Sequence, residues 1–301
     1  MADEALLRTV RLALVVALSA TACGSAGTPT GTGSGGQEPV AAGGATFRPH
    51  DSVVSTGAGC RAVVVAAGDI NDVETADLTG RVAATQDPDQ VLVLGDNQYE
   101  SGSLEDYRTE YDRTVWGRLK PVTNPVPGNH EYRTRDADGY FTYFGEPPPH
   151  YAYDAGCGWR GYALNSEVDM GEQAAWLRAD LRAHPGAPVL ASWHRPRWSS
   201  GVKHGSDPEV QPLWDALAGR TAVVLNGHEH NYERFAPIGQ VRQFVAGTGG
   251  TSAYAFGAPA PGSEVRLAHT PGVLRLDLQA QGAYAWTFLD TAGTALDQGT
   301  S

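Results

Sequence analysis

The feature that most constrains this chain is a pattern that recurs five times after residue 60: a short apolar run ends in a small residue, and a side chain able to bind a metal follows. Continuous runs of β-branched and aliphatic residues are typical of strands buried on both faces. Glycine after a strand lets the backbone turn sharply, so the next side chain can enter a crevice. The pattern therefore predicts buried strands whose ends carry polar side chains. The run ends are Gly68-Asp69, Gly95-Asp96, Gly128-Asn129-His130, Ser192-Trp193-His194 and Gly227-His228-Glu229-His230.

Amphipathic segments lie between these runs. Residues 172–184 and 210–218 each place their apolar side chains close to one helical face. Strands that alternate with helices predict an α/β fold. Ligands of such folds bind beyond the carboxyl ends of the strands, which is where all five motifs fall.

The C-terminal segment has a different period. Residues 273–278 and 284–288 alternate in part between apolar and polar side chains, and residues 279–282 between them have the composition of a turn. This pattern indicates an antiparallel hairpin, and residues 290–293 begin a further turn. Antiparallel strands added to an α/β core predict two packed sheets with helices outside.

Taken singly, the candidate ligands have structural explanations. An aspartate after a strand, such as Asp69, is more often a turn or helix N-cap residue. Tyr99 alone is more often a packing aromatic, and Asn129 alone is more often a turn residue. Metal binding becomes the better explanation when the motifs are taken together in their order. Nothing in the pattern requires Glu131 or Glu229 as ligands, and we expect both beside the site.

Three motifs in this order resemble the dimetal motifs of the calcineurin-like metallophosphoesterases: Gly95-Asp96, Gly128-Asn129-His130-Glu131 and Gly227-His228-Glu229-His230. The resemblance covers roughly residues 60–301. It implies the α/β fold of that superfamily, a four-layer αββα sandwich of two mixed β-sheets flanked by helices.

One subtype is indicated within that superfamily. Many members carry Asp-x-His at the first motif, whereas this chain has Asp69-Ile70-Asn71. Gly95-Asp96-Asn97-Gln98-Tyr99 instead resembles the Gly-Asp-x-x-Tyr motif of the purple acid phosphatases. Ser192-Trp193-His194 stands where those enzymes place their isolated histidine.

The purple acid phosphatase resemblance implies two metal ions that share one carboxylate. Hard carboxylate and phenolate oxygens suit Fe(III) at the first position, and the second set, richer in imidazole, suits Zn, Mn or Fe(II). A bridging carboxylate holds the ions a few Å apart, as a two-metal hydrolytic site requires. The implied ligands are Asp69, Asp96, Tyr99 and His230 for the first ion, and Asp96, Asn129, His194 and His228 for the second.

The same resemblance implies attack on phosphorus by a metal-bound hydroxide, without a covalent phospho-enzyme. The leaving alkoxide needs a proton or a positive charge, and His130 and His204 are the two candidates. Plant purple phosphatases carry a histidine pair in the loop after the isolated histidine, whereas this chain has Lys203-His204 there. The sequence does not decide between the two histidines.

Composition limits the other classes of function. Lys and Arg number 22 and Asp and Glu 34, a formal net charge of −12. Nucleic-acid binders need a basic surface, so we expect no nucleic-acid binding. No apolar run reaches the roughly 20 residues of a spanning helix, which excludes a multi-pass membrane protein.

The expected function is hydrolysis of small-molecule phosphomonoesters by an exported, metal-dependent phosphatase. Two alternatives stay open. One is a phosphodiesterase that uses the same dimetal site, and the other is a non-catalytic surface lipoprotein that binds metal or phosphate. The sequence does not determine the oligomeric state.

Residues 1–23 are typical of an export signal. Arg8 and Arg11 supply positive charge, residues 12–20 form an apolar segment, and small residues precede Cys23. This pattern resembles a bacterial lipobox, so we expect a cell-surface lipoprotein anchored through lipid on Cys23; plain secretion and a buried N-terminal helix are the alternatives.

The rest of the chain divides into two parts. Residues 24–57 are rich in Gly, Ser, Thr and Ala, as in a flexible tether, which leaves residues 58–301 as the catalytic domain. With Cys23 lipidated, Cys60 and Cys157 remain as an even pair in an oxidising compartment, where a disulfide could persist. Two separate buried thiols are the alternative.

Overall fold

The structure is a computed structural model that describes residues 47–301. The predicted export signal, Cys23 and most of the predicted tether lie outside the described residues. Residues 47–301 form the following strands: β1 (Arg61–Ala67), β2 (Gln90–Leu94), β3 (Thr123–Val126), β4 (Tyr151–Gly156), β5 (Trp159–Ala163), β6 (Val189–Ser192), β7 (Ala222–Asn226), β8 (Tyr232–Phe235), β9 (Val241–Ala246), β10 (Ser263–Leu267), β11 (Gly272–Gln279), β12 (Tyr284–Asp290) and β13 (Ala295–Thr300). They also form the α-helices α1 (Val73–Thr85), α2 (Leu104–Thr109), α3 (Val115–Leu119), α4 (Asp138–Phe144), α5 (Met170–Ala183) and α6 (Gln211–Ala216).

The strands form two mixed sheets. The first has the order β13-β12-β11-β1-β2-β3, and the second has the order β10-β8-β9-β7-β6-β5-β4. Parallel strands lie at β1-β2-β3 in the first sheet and at β5-β6-β7-β9 in the second. The remaining neighbours are antiparallel. The prediction of two mixed sheets is therefore confirmed.

Strand β1 shows why the chain forms layers. Ala62, Val64 and Ala66 lie in the core between the two sheets, whereas Val65 and Ala67 face the helices. Successive side chains of a strand point to opposite faces, so a strand that is apolar throughout needs cover on both. Helices α1–α4 pack on the outer face of the first sheet, and α5 and α6 pack on that of the second. The fold is the predicted four-layer αββα sandwich.

The helices and the hairpin lie close to their predicted bounds. Helix α5 begins two residues before the predicted start because the carboxylate of Asp169 caps it, accepting the N–H of Gly171. Helix α6 follows a 3₁₀ turn over Pro208–Val210. Strands β11 and β12 form the predicted antiparallel hairpin, with Leu276 opposite Trp286.

A disulfide joins Cys60 and Cys157, which are 97 residues apart in the chain and have Cα atoms 5.6 Å apart. Cys60 precedes β1 of the first sheet, and Cys157 lies in the turn between β4 and β5 of the second. Of the two alternatives for these cysteines, the structure shows the bridge. It ties the two sheets together covalently.

Residues 47–57, the last part of the predicted tether, make hydrogen bonds with the domain. The N–H of Phe47 donates to the carbonyl of Gly145, and the N–H of Ser52 donates to the carbonyl of Asp154, both at 2.8 Å. Where the tether ends stays a prediction. Within the described part of the chain, no helix combines the length and the apolar character that crossing a membrane requires.

Candidate metal centre

The strand ends bring the predicted ligands to one edge of the sandwich. Parallel strands end at the same edge of a sheet, and the two sheets face each other, so loops from both sheets meet there. Asp69 follows β1, Asp96 and Tyr99 follow β2, Asn129 follows β3, His194 follows β6, and His228 and His230 follow β7.

The first predicted set forms a tight cluster around one phenol. The Oη atom of Tyr99 lies 3.1 Å from Oδ1 of Asp69, 3.2 Å from Oδ2 of Asp96 and 3.2 Å from Nε2 of His230. Nε2 of His230 is also 3.3 Å from Oδ1 of Asp69. In a tetrahedral site with bonds of ~2.1 Å, neighbouring ligand atoms are about 3.4 Å apart. Each of these four contacts thus has the spacing of neighbouring ligand atoms, with the phenol of Tyr99 in the middle of the group.

The second predicted set shares Asp96 with the first. Its Oδ2 atom is 3.3 Å from Nε2 of His194, which is 3.1 Å from Nδ1 of His228. The buried Oδ1 of Asn129 has no hydrogen-bond partner within residues 47–301. An amide oxygen buried in this way needs a partner, and a cation supplies one. Because the same oxygen of Asp96 belongs to both clusters, this carboxylate is placed to bridge two ions.

The tautomers of the histidines point to a cation as well. Nδ1 of His194 lies 2.8 Å from the carbonyl oxygen of Leu94 and donates to it, which turns Nε2 toward Oδ2 of Asp96. The same Nε2 faces Nδ1 of His228. Nδ1 of His230 similarly donates to the carbonyl of Ser252 at 2.8 Å, which leaves Nε2 toward the first cluster. Metal-binding histidines are commonly oriented by such hydrogen bonds, and the residues present therefore fit two metal ions.

The electrostatics of the centre favour positive charge. Although burial opposes protonation of His194, the adjacent carboxylate of Asp96 raises its pKa to about 10. Burial also works against the charge of Asp96, yet His194 and His130 hold its pKa below the ordinary value. Burial raises the pKa of Tyr99 well above its usual value, and the nearby carboxylates act in the same direction. Ionising this phenol therefore requires a strong positive charge beside it.

Three of the candidate ligands after the strand ends have a left-handed backbone conformation. Asp69, Asp96 and His228 have φ angles of 59°, 49° and 70°. This left-handed region is uncommon for residues other than glycine, although aspartate and histidine adopt it more often than most. It costs on the order of 1 kcal/mol or more per residue. At Gly95, a Cβ atom would lie only 2.5 Å from Nδ1 of His194, so this position needs glycine for the imidazole to approach.

Glu131 connects the loop after β2 with the loop after β3, the two loops that carry Asp96 and Asn129. Its buried carboxylate accepts the backbone N–H groups of Asp96 at 2.9 Å, Asn97 at 2.8 Å and Gly128 at 2.6 Å, together with the hydroxyl of Tyr107 at 3.0 Å. Burial raises the pKa of Glu131 to about 7, while the hydrogen bonds lower it. The sequence places Glu131 beside the site, but only the structure shows that it fixes the loops that carry Asp96 and Asn129.

Glu229 has a similar role on the other side of the centre. Its Oε1 atom accepts the N–H of His204 at 2.7 Å and the N–H of Gly205 at 2.5 Å. The imidazole of His204 stacks on that of His228, with ring centroids 4.0 Å apart. The structure thus brings His204, one of the two predicted proton donors, beside the second ligand set.

His130, the other predicted donor, has both ring nitrogens engaged. Nδ1 lies 2.8 Å from the carbonyl oxygen of Glu100, and Nε2 lies 2.9 Å from Nη2 of Arg133. Since a carbonyl only accepts, Nδ1 carries the proton and Nε2 accepts from the guanidinium. In this arrangement His130 orients Arg133, and its role as a proton donor stays a prediction.

A cavity of about 350 Å³ opens over the ligands. Tyr254 stacks on His230 within it, with ring centroids 3.9 Å apart. No motif marks Tyr254, because it reaches the site through the loop after β9. Other residues that line the cavity and belong to no predicted site are Asn71, Glu100, Arg133, Lys203, Thr251, Ser252 and Tyr254.

The four-layer αββα sandwich carries the candidate ligands at the ends of its strands, which is the architecture of the metallophosphoesterases. The family model for calcineurin-like phosphoesterases matches residues 62–232, and the chain belongs to that family. The family implies two metal ions, and Asp96, His194 and His228 form a buried cluster able to hold one of them. The comparisons do not identify the metals.

Solved structures show the same fold. A purple acid phosphatase from yellow lupin (Lupinus luteus) seeds is 19% identical with a TM-score of 0.66, and the match covers 84% of this chain and 54% of the lupin chain. This chain therefore spans about half the length of that enzyme. GAP50, the anchor in the inner membrane complex of Plasmodium, is 14% identical with a TM-score of 0.61, over 80% of this chain and 88% of its own. A dimetal phosphatase from Danio rerio is 14% identical with a TM-score of 0.54, over 79% and 98%. No curated protein matches the chain.

Proposed function

We propose that this protein is a phosphomonoesterase of the purple acid phosphatase type. The observation that carries the proposal is the position of Tyr99, whose phenol oxygen lies within 3.2 Å of ligand atoms of Asp69, Asp96 and His230. A phenolate beside carboxylates suits Fe(III), and the cluster of His194 and His228 suits Zn, Mn or Fe(II).

The ions, when bound, supply Lewis acidity, which activates water as the nucleophile and offsets the charge of the phosphate oxygens. The chain's own residues position the metal ligands and the loops that carry them. Asp96 would be shared by the two ions, and Glu131 and Glu229 hold the ligand loops and the His204 loop in place. The cavity lies directly over these ligands, and its volume is in the range of small-molecule sites.

The geometry favours His204 over His130 as the group that serves the leaving oxygen. The imidazole of His204 lines the cavity and makes no hydrogen bond within the described residues. Both nitrogens of His130 are engaged, by Glu100 and by Arg133. A general acid needs a donor nitrogen within reach of the substrate, and only His204 presents one without first breaking a contact.

The test is hydrolysis of a chromogenic phosphate monoester and of the matched diester with the same leaving group, across acid to neutral pH. We expect turnover of the monoester, lost in Asp96→Asn because the shared ligand is removed. Preference for the diester would assign a phosphodiesterase to the same site. No turnover of either ester by the metal-loaded protein would overturn the proposal and favour a binding protein.

We also propose export, with Cys23 as a lipid anchor or with plain secretion. The pattern of residues 1–23 supports export, and so does the Cys60–Cys157 bridge, since disulfides persist in oxidising compartments. Cell fractionation with a Cys23→Ser variant tests it. Membrane association of the natural chain that is lost in the variant indicates the anchor, and retention of both inside the cell contradicts export.

A further inference from the structure

Arg133 is held at the exposed end of the catalytic cavity. Its Nη1 atom is 2.8 Å from the carboxylate of Glu100, and its Nη2 atom is 2.9 Å from Nε2 of His130. Half of the side chain is exposed (49%), so the guanidinium is oriented by protein groups but not covered by them. A guanidinium has five N–H groups, and these two contacts leave most of them available to a ligand.

Lys203 approaches the same cavity from another wall. Its Nζ atom lies 5.9 Å from the centre of the Tyr254 ring, which itself stacks on His230. Within residues 47–301, Lys203 makes no salt bridge. Arg133 and Lys203 therefore bring two cations to one cavity, and Glu100 compensates only the first.

These cations are more exposed than the metal centre, although Arg133 contacts His130, whose Nε2 lies 3.9 Å from Oδ2 of Asp96. Asp96, His228 and His230 lie at the buried end of the cavity, with at most 7% of each residue exposed. Arg133 and Lys203 lie at its exposed end. A substrate whose phosphate reaches the buried end would extend its other substituents through the part of the cavity that these two cations line.

We propose that Arg133 and Lys203 form an anion subsite, which binds a second negatively charged group of the substrate while the phosphate lies at the metal centre. The inference rests on the proposed phosphatase function and specifies its substrate class: phosphomonoesters that carry a further anionic group, such as a carboxylate. Charge-assisted hydrogen bonds from an oriented guanidinium are the interaction that recognises such a group.

Binding of two matched phosphonates to the metal-loaded protein tests the subsite without chemistry, because their C–P bond is not hydrolysed. Propylphosphonate and 3-phosphonopropionate differ in that a carboxylate replaces a methyl group. By titration calorimetry we expect 3-phosphonopropionate to bind about three- to tenfold more tightly, the range for a charge-assisted contact that is partly exposed. The preference should shrink as ionic strength rises.

Three variants assign the preference to this subsite. Arg133→Gln and Lys203→Gln should each reduce it, and the double variant should bind both phosphonates equally well. Glu100→Gln should increase it, since the guanidinium keeps a hydrogen-bond acceptor but loses its counter-charge. A gain of this kind does not arise from misfolding. Arg135→Gln is the matched control, because Arg135 is 94% exposed, pairs with Asp136 and is absent from the cavity lining.

The outcomes distinguish a failure of the subsite from a failure of the proposed function. A preference that survives in the double variant, or no preference in the natural chain while it hydrolyses a plain phosphomonoester, overturns the subsite alone. Failure to bind either phosphonate, together with no ester hydrolysis, overturns both the subsite and the proposed function.

Discussion

Nδ1 of His228 and Nε2 of His194 face each other across 3.1 Å at the end of the second sheet. The other nitrogen of His194 donates to the carbonyl of Leu94, which fixes the direction of Nε2. Nε2 of His228 lies 3.4 Å from Nη1 of Arg195, which can only donate, so the proton of His228 is on Nδ1, between the two rings. A metal ion bound beside Asp96, His194 and His228 would take the place of that proton, as metal binding to imidazole requires.

Visible absorption and iron content test the role of Tyr99 as a metal ligand. We expect Tyr99→Phe to lose the visible phenolate-to-iron absorption band and to bind less iron, because the phenol oxygen is removed from the first cluster. Turnover should fall by about tenfold, which corresponds to ~1.4 kcal/mol in the barrier. Absorption spectra and metal analysis of the purified protein provide the measurement.

Tyr151→Phe is the control for this change. Tyr151 is also buried, but its hydroxyl donates to the carbonyl of Pro125 away from the ligands, so the band should persist. A band that is unchanged in Tyr99→Phe would contradict the iron assignment at this position.

Glu229 should act on catalysis through His204. In Glu229→Ala the backbone of His204 and Gly205 loses its acceptor, and we expect kcat to fall by about 10- to 100-fold, since small displacements of a catalytic group have effects of this size. Glu229→Gln keeps an acceptor and should lose less. Steady-state kinetics with a plain phosphomonoester provides the measurement.

A double-variant cycle separates positioning from general loss of structure. If Glu229 acts through His204, Glu229→Ala should change kcat little further in a His204→Ala background. Fully additive losses in the double variant would show that Glu229 acts elsewhere, and thermal unfolding of each variant reports its stability.

The disulfide should contribute mainly to stability. Opening the Cys60–Cys157 bridge releases a loop of about 97 residues in the unfolded chain. In the chain-entropy model a loop of this length corresponds to about 4–5 kcal/mol in the free energy of unfolding. Denaturant titration of the Cys60→Ser/Cys157→Ser variant under oxidising conditions measures the loss. Equal stability of the variant and the natural chain would mean that the bridge is not formed.

Asp180 should make stability depend on pH in the acid range. Burial works against its charge, but hydrogen bonds from Arg160 and Tyr162 lower the pKa of Asp180 below its ordinary value. A carboxyl whose pKa is lower in the folded state stabilises the fold above its unfolded pKa, and this contribution disappears as pH falls through the folded pKa. We expect Asp180→Asn to cost about 1 kcal/mol or less at neutral pH, since the pair is partly exposed.

Denaturant titrations at neutral pH and near pH 3 measure this contribution. The difference between Asp180→Asn and the natural chain should shrink at the lower pH. Asp215→Asn is the control, because Asp215 forms no salt bridge within the described residues and only accepts from the neutral side chain of Gln211. A difference that stays constant between the two pH values would contradict the ion-pair explanation.

Much of the architecture could be predicted because its causes are local. Apolar runs such as 62–67 and 91–94 need cover on both faces, and this alone requires helices outside two sheets. The hairpin of β11 and β12 follows from its period and its turn, and helix α5 follows from its apolar face. Element ends were less predictable, since caps such as Asp169 shift them by a residue or two.

The sequence by itself determined which residue types stand at the strand ends and in which order, and that order identifies the ligand set from Asp69 to His230. Only the tertiary structure decided what surrounds them. Tyr254 lies in the loop after β9 and Arg133 in the 3₁₀ turn Glu131–Arg133, and only long-range packing brings both to the cavity. The orientation of His130 also depends on a residue 30 positions away, the carbonyl of Glu100. Local propensity selects strands and turns, whereas contacts between distant segments form only when the two sheets pack, and these contacts set the geometry of the site.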